Sequence, residues 1–246
     1  DKLNLTAGVR TTDEEKTVFG NQYKPASKTY ILNAVTNVAR WKETTSMFAV
    51  DYQVSEDLMA YVSFSEGFKS GGFNPRPVGG FTAAPFGPEY VESTEIGFKS
   101  ELFDRRLRLN GAFYSSDYKD LQFSVNRFNE ATGTLELLVG NAAEAEIDGY
   151  ELEIEAVVSE NLSLRASFGN TDFEITNLYP GTSPEITLNT QQANSPENTS
   201  ALSLIYSAPM LNGMTTFRLD YSNQDESFAD IQNTQELLQE ANDMIN

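Results

Sequence analysis

Apolar and polar side chains alternate with a period of two along most of this chain, and helical periodicity is nearly absent. Leu3, Leu5, Ala7 and Val9 alternate with Asn4, Thr6, Gly8 and Arg10. Phe48, Val50, Tyr52 and Val54 lead through Ser55-Glu56-Asp57 into Leu58, Ala60, Val62 and Phe64. A short turn there sets Val54 opposite Leu58, Tyr52 opposite Ala60 and Val50 opposite Val62, all on one apolar face. The same unit recurs three times. Ile96 and Phe98 pass through Phe103-Asp104 into Leu107, Leu109 and Phe113. Tyr150 to Ala156 pass through Ser159-Glu160-Asn161 into Leu162 to Phe168, and Leu202 to Tyr206 pass through Asn212-Gly213 into Phe217 to Tyr221. The pattern predicts an all-β, antiparallel chain of about nine strands: one leading strand and four hairpins. The tail from Thr234 to Met244 reads equally as a short helix or a polar loop.

The connections narrow the fold further. Turns inside the hairpins are short, whereas the segments between hairpins are long: Thr11 to Thr45, Glu66 to Val91, Tyr118 to Glu146 and Asp172 to Thr199. Strict alternation of short turns and long loops is the habit of an up-and-down transmembrane barrel, with the short turns periplasmic and the long loops extracellular. A soluble sandwich has no reason to send its long loops to one end.

Composition is compatible with that reading. Hydrophobic residues make up 39% of the 246, with 16 Phe and 11 Tyr. No run is long and apolar enough for a membrane helix, which needs about 20 residues, but a barrel strand needs an apolar side chain only at every second position. The polar face carries Glu95, Lys99 and Glu101, then Arg106 and Arg108, then Glu151, Glu153, Glu155 and Arg165. Around Phe103-Asp104 the spacing predicts Glu101 opposite Arg106 and Lys99 opposite Arg108. These charges suit a lumen, although a half-exposed soluble sheet has the same pattern.

Chemistry is limited by what is missing. The chain has no Cys and no His, which removes thiolate metal sites, the usual zinc ligands and the His member of a hydrolytic triad. No catalytic, cofactor-binding or metal-binding motif is found, so the chain is not read as an enzyme. A net charge of -19 argues against nucleic acid, whose affinity rests on Lys and Arg. Glu151, Glu153 and Glu155 share one strand face and read as charged wall paired with Arg165 rather than as a cation site. Tyr52, Tyr206 and Tyr221 read as lipid-facing. The glycines from Gly67 to Gly72 do not match phosphate-loop spacing and read as a tight bend at the foot of a loop.

Several stretches resemble the TonB-dependent outer-membrane receptor family. They are Tyr61 to Asn74 (YVSFSEGFKSGGFN), Pro88 to Ser100 (PEYVESTEIGFKS), Asn141 to Glu155 with Ile147-Asp148-Gly149-Tyr150-Glu151 inside it, and Ser195 to Asn198 leading into Leu202. The resemblance implies a 22-stranded barrel with an N-terminal plug in its lumen. It further implies import of a scarce nutrient (iron-siderophore, cobalamin or carbohydrate) with energy from the TonB complex acting through the plug. Expected partners are outer-membrane lipid and lipopolysaccharide, the TonB complex and a small-molecule ligand, and the expected location is the bacterial outer membrane. The whole chain, 1–246, reads as partial barrel. It begins already alternating and ends without an aromatic-terminated last strand, so plug and final strands are expected to lie outside it. Ligand-contact candidates are the loop aromatics and cations Phe68, Phe73, Arg76, Phe81, Phe86, Arg127 and Tyr179. No loop carries a dense basic cluster, which disfavours a highly anionic ligand. A passive porin-like channel and a secreted β-rich binding module remain the alternatives.

Overall fold

A computed structural model of the chain describes residues 2–74, 84–129, 134–210 and 212–246. Ten antiparallel strands form one sheet in unbroken sequential order. They are β1 (Leu3–Lys24), β2 (Thr29–Ser55), β3 (Leu58–Lys69), β6 (Glu89–Leu102), β7 (Leu107–Asn129), β8 (Thr134–Ser159), β9 (Leu162–Leu178), β10 (Asn198–Met210), β11 (Gly213–Gln224) and β14 (Asn242–Ile245). Two small ribbons stand apart from it: β4 (Gly72–Phe73) with β5 (Pro85–Phe86), and β12 (Ser227–Phe228) with β13 (Leu238–Gln239). The tenth large-sheet strand was not expected. Residues 234–244 hold a single 3-10 turn, Gln235–Leu237, followed by β13 and then β14, and β14 pairs along β11 from Tyr221↔Ile245 to Gln224↔Asn242.

The registers follow the apolar rows. Val50↔Val62 and Tyr52↔Ala60 pair as expected, but a bulge sets Ser55, not Val54, opposite Leu58. The β6–β7 turn departs more. Phe103, Asp104 and Arg105 all take positive φ (54°, 55° and 65°), so the turn holds 103–106 and Leu102 pairs with Leu107. Glu101 therefore faces Arg108 and Lys99 faces Asn110, two residues from the expected register and on the same face. The shift replaces a like-charge pair with a neutral one, which cross-strand electrostatics favour.

Two of the four long spacers, Thr11 to Thr45 and Tyr118 to Glu146, are mostly strand. β1 and β2 stay paired out to Lys24↔Thr29, and β7 and β8 out to Asn129↔Thr134. In the β1–β2 extension Asp13, Glu15 and Thr17 alternate with Thr12, Glu14 and Lys16, so polar residues on both faces erase the hydrophobic period while the backbone ladder stays intact. The β9–β10 connection is a genuine loop, and the described part of the β3–β6 connection carries the β4–β5 ribbon.

Polarity across the sheet is inverted relative to a water-soluble protein. One face presents Leu5, Ile96, Leu109, Phe113, Leu152, Phe168, Leu204 and Phe217, and Ile96 and Phe113 are 59% and 64% exposed. Such rows, running about 20 Å at ~3.3 Å per residue, match the roughly 25 Å apolar band of an outer-membrane strand. Even the polar Ser100 on this face is satisfied, its hydroxyl donating to the Leu109 carbonyl at 2.7 Å. The opposite face carries the charges. Tyr114 lies across Gly149 there, so close that a Cβ at Gly149 would fall 2.3 Å from the phenol oxygen. The buried apolar cluster of Leu121, Phe123, Ala143, Ala145 and Ile175 sits only at the long-hairpin end, capped by Ile186 from the β9–β10 loop.

The two faces respond differently to charge. In a barrel containing this chain, Leu109→Arg is expected to cost about 2–4 kcal/mol and to block folding into lipid vesicles. Asn110→Arg, one residue away on the charged face, is expected to insert normally. Heat-modifiable mobility on gels reads both, and equal tolerance would contradict the assignment of faces.

Candidate functional site

The charged face forms a laddered wall. Cross-strand neighbours place Glu101, Arg108, Glu155, Arg165, Ser203 and Asp220 in one row across β6 to β11. Arg108 bonds Glu101 at 3.0 Å and Glu155 at 3.3 Å, Arg165 reaches Glu155 at 3.6 Å, and Arg218 holds Asp220 at 2.7 Å. Asn110 donates to Glu153 at 3.3 Å, and Tyr61 donates to Glu95 at 2.6 Å. Arg108, Glu153, Arg165 and Asp220 line a cavity of about 620 Å³. The expected pairing of the glutamate row with Arg165 thus occurs through Glu155. Among the described residues no group of His, Cys, Asp and Glu is arranged to hold a metal ion.

At the long-hairpin end, carboxamides fasten the β3–β6 loop to the extension of β7 and β8. Asn141 accepts from Gly87 N at 2.7 Å and donates to the carbonyls of Gly87, Pro88 and Asp120 at 3.1, 3.0 and 2.7 Å. Gln122 Nε2 donates to the carbonyls of Ser70 and Gly87 at 3.2 and 2.9 Å, and its N–H donates to Glu89 at 2.7 Å. Buried Asn74 exchanges hydrogen bonds with the backbone of Val139. The β7 bulge at Asp120, whose φ is 57°, turns that carbonyl toward Asn141.

The expected ligand residues within the described part fall in four places. Phe73 and Phe86 come together in the β4–β5 ribbon, with the Phe86 ring against Gly72. Tyr179, just past β9, donates to Glu144 at 3.2 Å, and its hydroxyl pKa is pushed up by burial, with Glu144 also acting. Phe68 stands apart beside a 380 Å³ cleft lined by Arg10, Glu14, Glu66 and Ser70. Arg127 lies on β7, and Arg76 and Phe81 lie outside the described residues. Sequence reasoning passed over Lys16 and Trp41. Lys16 Nζ donates to the Gly71 carbonyl at 2.7 Å and sits 5.6 Å over the Trp41 ring. The only available signal was a lone tryptophan in the polar stretch from Thr11 to Thr45.

Next to that cleft the sheet parts. β2 leaves β3 above Met47↔Ser65, and the Glu66 carboxylate takes over, accepting from Ser46 N at 2.8 Å and Ser46 Oγ at 2.7 Å. Those two bonds, the hydroxyl first, hold the Glu66 pKa below its ordinary 4.5.

The fold agrees with that of known proteins. Residues 1–242 match the TonB dependent receptor-like beta-barrel family. The chain superposes on the ferric yersiniabactin uptake receptor FyuA of Yersinia pestis with a TM-score of 0.76 at 19% identity, covering 99% of this chain and 34% of that one. For the siderophore receptor PiuA of Acinetobacter baumannii the TM-score is 0.70 at 18% identity, covering 99% and 34%. For the FrpB iron transporter of Neisseria meningitidis it is 0.65 at 15% identity, covering 99% and 35%. These likenesses establish the fold, and the chain spans about a third of the length of the receptors it matches. The chain belongs to the TonB-dependent receptor β-barrel family.

Two outcomes follow from the bonds described. Asn141→Leu leaves several backbone groups unpaired at about 1–3 kcal/mol for each one buried, so amide protection at Gly87 and Glu89 is expected to fall while β10 is unchanged. Because the folded pKa of Glu66 is depressed, its stabilisation is complete above about pH 4.5 and is lost as pH falls through the folded value. Protection of the Ser46 amide is therefore expected to drop below that pH in the unaltered protein, and to be low at all pH values in Glu66→Ala.

Proposed function

We propose that this chain forms a wall of the outer-membrane barrel of an energised receptor that imports a scarce nutrient, such as an iron-siderophore complex, cobalamin or a carbohydrate. The observation that carries the reading is the combination of an apolar lipid face, a charged inner wall and long hairpins gathered at one end. In this reading the short turns at 56–57, 103–106 and 160–161 face the periplasm, and the long hairpins face the exterior. The apolar face meets outer-membrane lipid and lipopolysaccharide.

The inner wall supports a plugged rather than an open lumen. Its ion-paired row and its Asn and Tyr hydroxyl and amide groups suit a hydrated protein surface, which the plug domain of a longer polypeptide would supply. That plug would also receive the pull of the TonB complex. Further strands would complete the ring beside β1 and β14, whose outer edges have no partner among the described residues. Phe68, Phe73, Phe86 and Tyr179, with Arg76, Phe81 and Arg127, supply aromatic and basic ligand contacts near the outer mouth, and no catalytic role is assigned to any residue.

Cells carrying the parent receptor, offered radiolabelled ferric siderophores, cobalamin and oligosaccharides as probes, are expected to accumulate one class against its gradient. Collapse of the proton-motive force is expected to abolish accumulation while leaving surface binding in place. Uptake that survives the collapse and stops at equilibrium would make the barrel a passive channel instead.

A further inference from the structure

Each strand of the large sheet changes character once along its lipid-facing side. Below the change the side chains are uncharged and mostly apolar, and the next one up on the same face is polar. Val9 gives way to Thr11 on β1, Phe48 to Ser46 on β2, Phe64 to Glu66 on β3 and Phe113 to Ser115 on β7. On β9 and β10 the change runs from Phe168 to Asn170 and from Leu202 to Ser200. Between these points and the short turns, no charged side chain stands on this face among the described residues.

The points of change do not lie on one rung of the ladder. Phe48 pairs with Phe64, but Phe64 also pairs with Thr94, so the last apolar residue of β6, Ile96, lies one same-face rung lower. Ile96, Phe113 and Tyr150 then stand level. Tyr150 pairs with Asn170, which puts Phe168 another rung down, and Phe168 pairs with Ser200, which puts Leu202 one further. With Val9 one rung above Phe48 and Tyr221 level with Leu202, the boundary drops four same-face rungs from β1 to β11, always in one direction. At about 6.6 Å per same-face rung and about 4.8 Å per strand, this line crosses the ladder at roughly 35°. Strands of outer-membrane barrels are tilted by about that angle.

The charges above the line follow it. Asp148 and Asp172 face each other on the first rung above Tyr150, and Asp117, Glu146 and Glu174 stand side by side on the next. Like charges directly opposed across a ladder are destabilising. Water or mobile counter-ions must screen them, and hydrocarbon holds neither.

We infer that this oblique line is where the hydrocarbon of the outer leaflet ends on the chain, with Val62 and Ala60 among acyl chains and Asn198 and Asn223 among headgroups and water. It rests on the reading of the apolar face as lipid contact, and it adds the plane of the membrane: residues on one rung lie at different depths. Val62 and Asn198 share a rung through Ile96, Phe113, Tyr150 and Asn170, yet the slope separates them by roughly 14 Å in depth. Ala60 and Asn223 share the next rung down and are separated in the same sense.

The test places one identical nitroxide at Val62→Cys, Asn198→Cys, Ala60→Cys or Asn223→Cys in the full receptor in phospholipid bilayers. The chain supplies no competing cysteine, and a common label removes the difference between valine and asparagine. Collision with oxygen, which concentrates in hydrocarbon, is compared with collision with a water-soluble nickel chelate. Leu109→Cys, in the middle of the apolar face, is the reference for lipid contact. A several-fold preference for oxygen is expected at Leu109, Val62 and Ala60, and the reverse at Asn198 and Asn223. The same preference at both ends of a rung would make the boundary level with the ladder and overturn the inference, while oxygen preference at Leu109 keeps the lipid-facing reading. Nickel preference at Leu109 removes both. Each rung is a separate comparison, so either pair decides should a variant of the other lose the gel mobility of a folded barrel.

Discussion

Backbone hydrogen bonding between neighbouring strands is the constraint on which the rest of this molecule depends. A strand that crosses hydrocarbon must give each N–H and C=O a partner, because no water is there to supply one. Here the ladder passes without interruption from β1 to β14, and every connection joins sequential neighbours. Once the ladder is in place, side-chain alternation follows, and with it a face for lipid and a face for charge. Ser100 on the lipid face obeys the same rule by donating to the Leu109 carbonyl.

The charged wall shows how such a face is kept stable without burial. Glu101, Arg108, Glu155 and Arg165 alternate in sign across four strands, so each charge has an opposite neighbour on at least one side. Exposed pairs of this kind contribute little singly. Their value here is register: a strand slipped by one residue would turn its charges toward lipid, and a two-residue slip of β6 on β7 would set Lys99 beside Arg108. Higher on the same wall, Tyr61 and Tyr114 replace ion pairs with phenols that bond Glu95 and Thr171.

Above the lipid band the rules change. Apolar rows no longer hold the strands, and each protruding hairpin is anchored by whatever packs beside it. The β7–β8 hairpin gains a true hydrophobic cluster, covered by Ile186 and flanked by Ile231, together with a set of carboxamides that stand in for a missing strand. The β1–β2 hairpin meets the Gly71 segment through Lys16 and Trp41.

The sequence by itself determined the strand class, the apolar face and part of the β2–β3 register, because period-two alternation is a local property that each strand carries alone. Val50 opposite Val62 and Tyr52 opposite Ala60 could be read from the residues, as could the pairing of the glutamate row with Arg165. The resemblance carried by the Tyr61–Asn74 and Asn141–Glu155 stretches supplied the family. The tertiary structure alone decided the rest. Thr11 to Thr45 looked like loop because strands above the membrane keep their backbone ladder while losing the apolar row that betrays it. Three consecutive positive φ angles at Phe103, Asp104 and Arg105 moved the β6–β7 register by two, and no side-chain period records a backbone angle. Lys16, Trp41 and Gly71 meet only after β2 has left β3, and contacts between residues so far apart in the chain exist only once the sheet has formed around them.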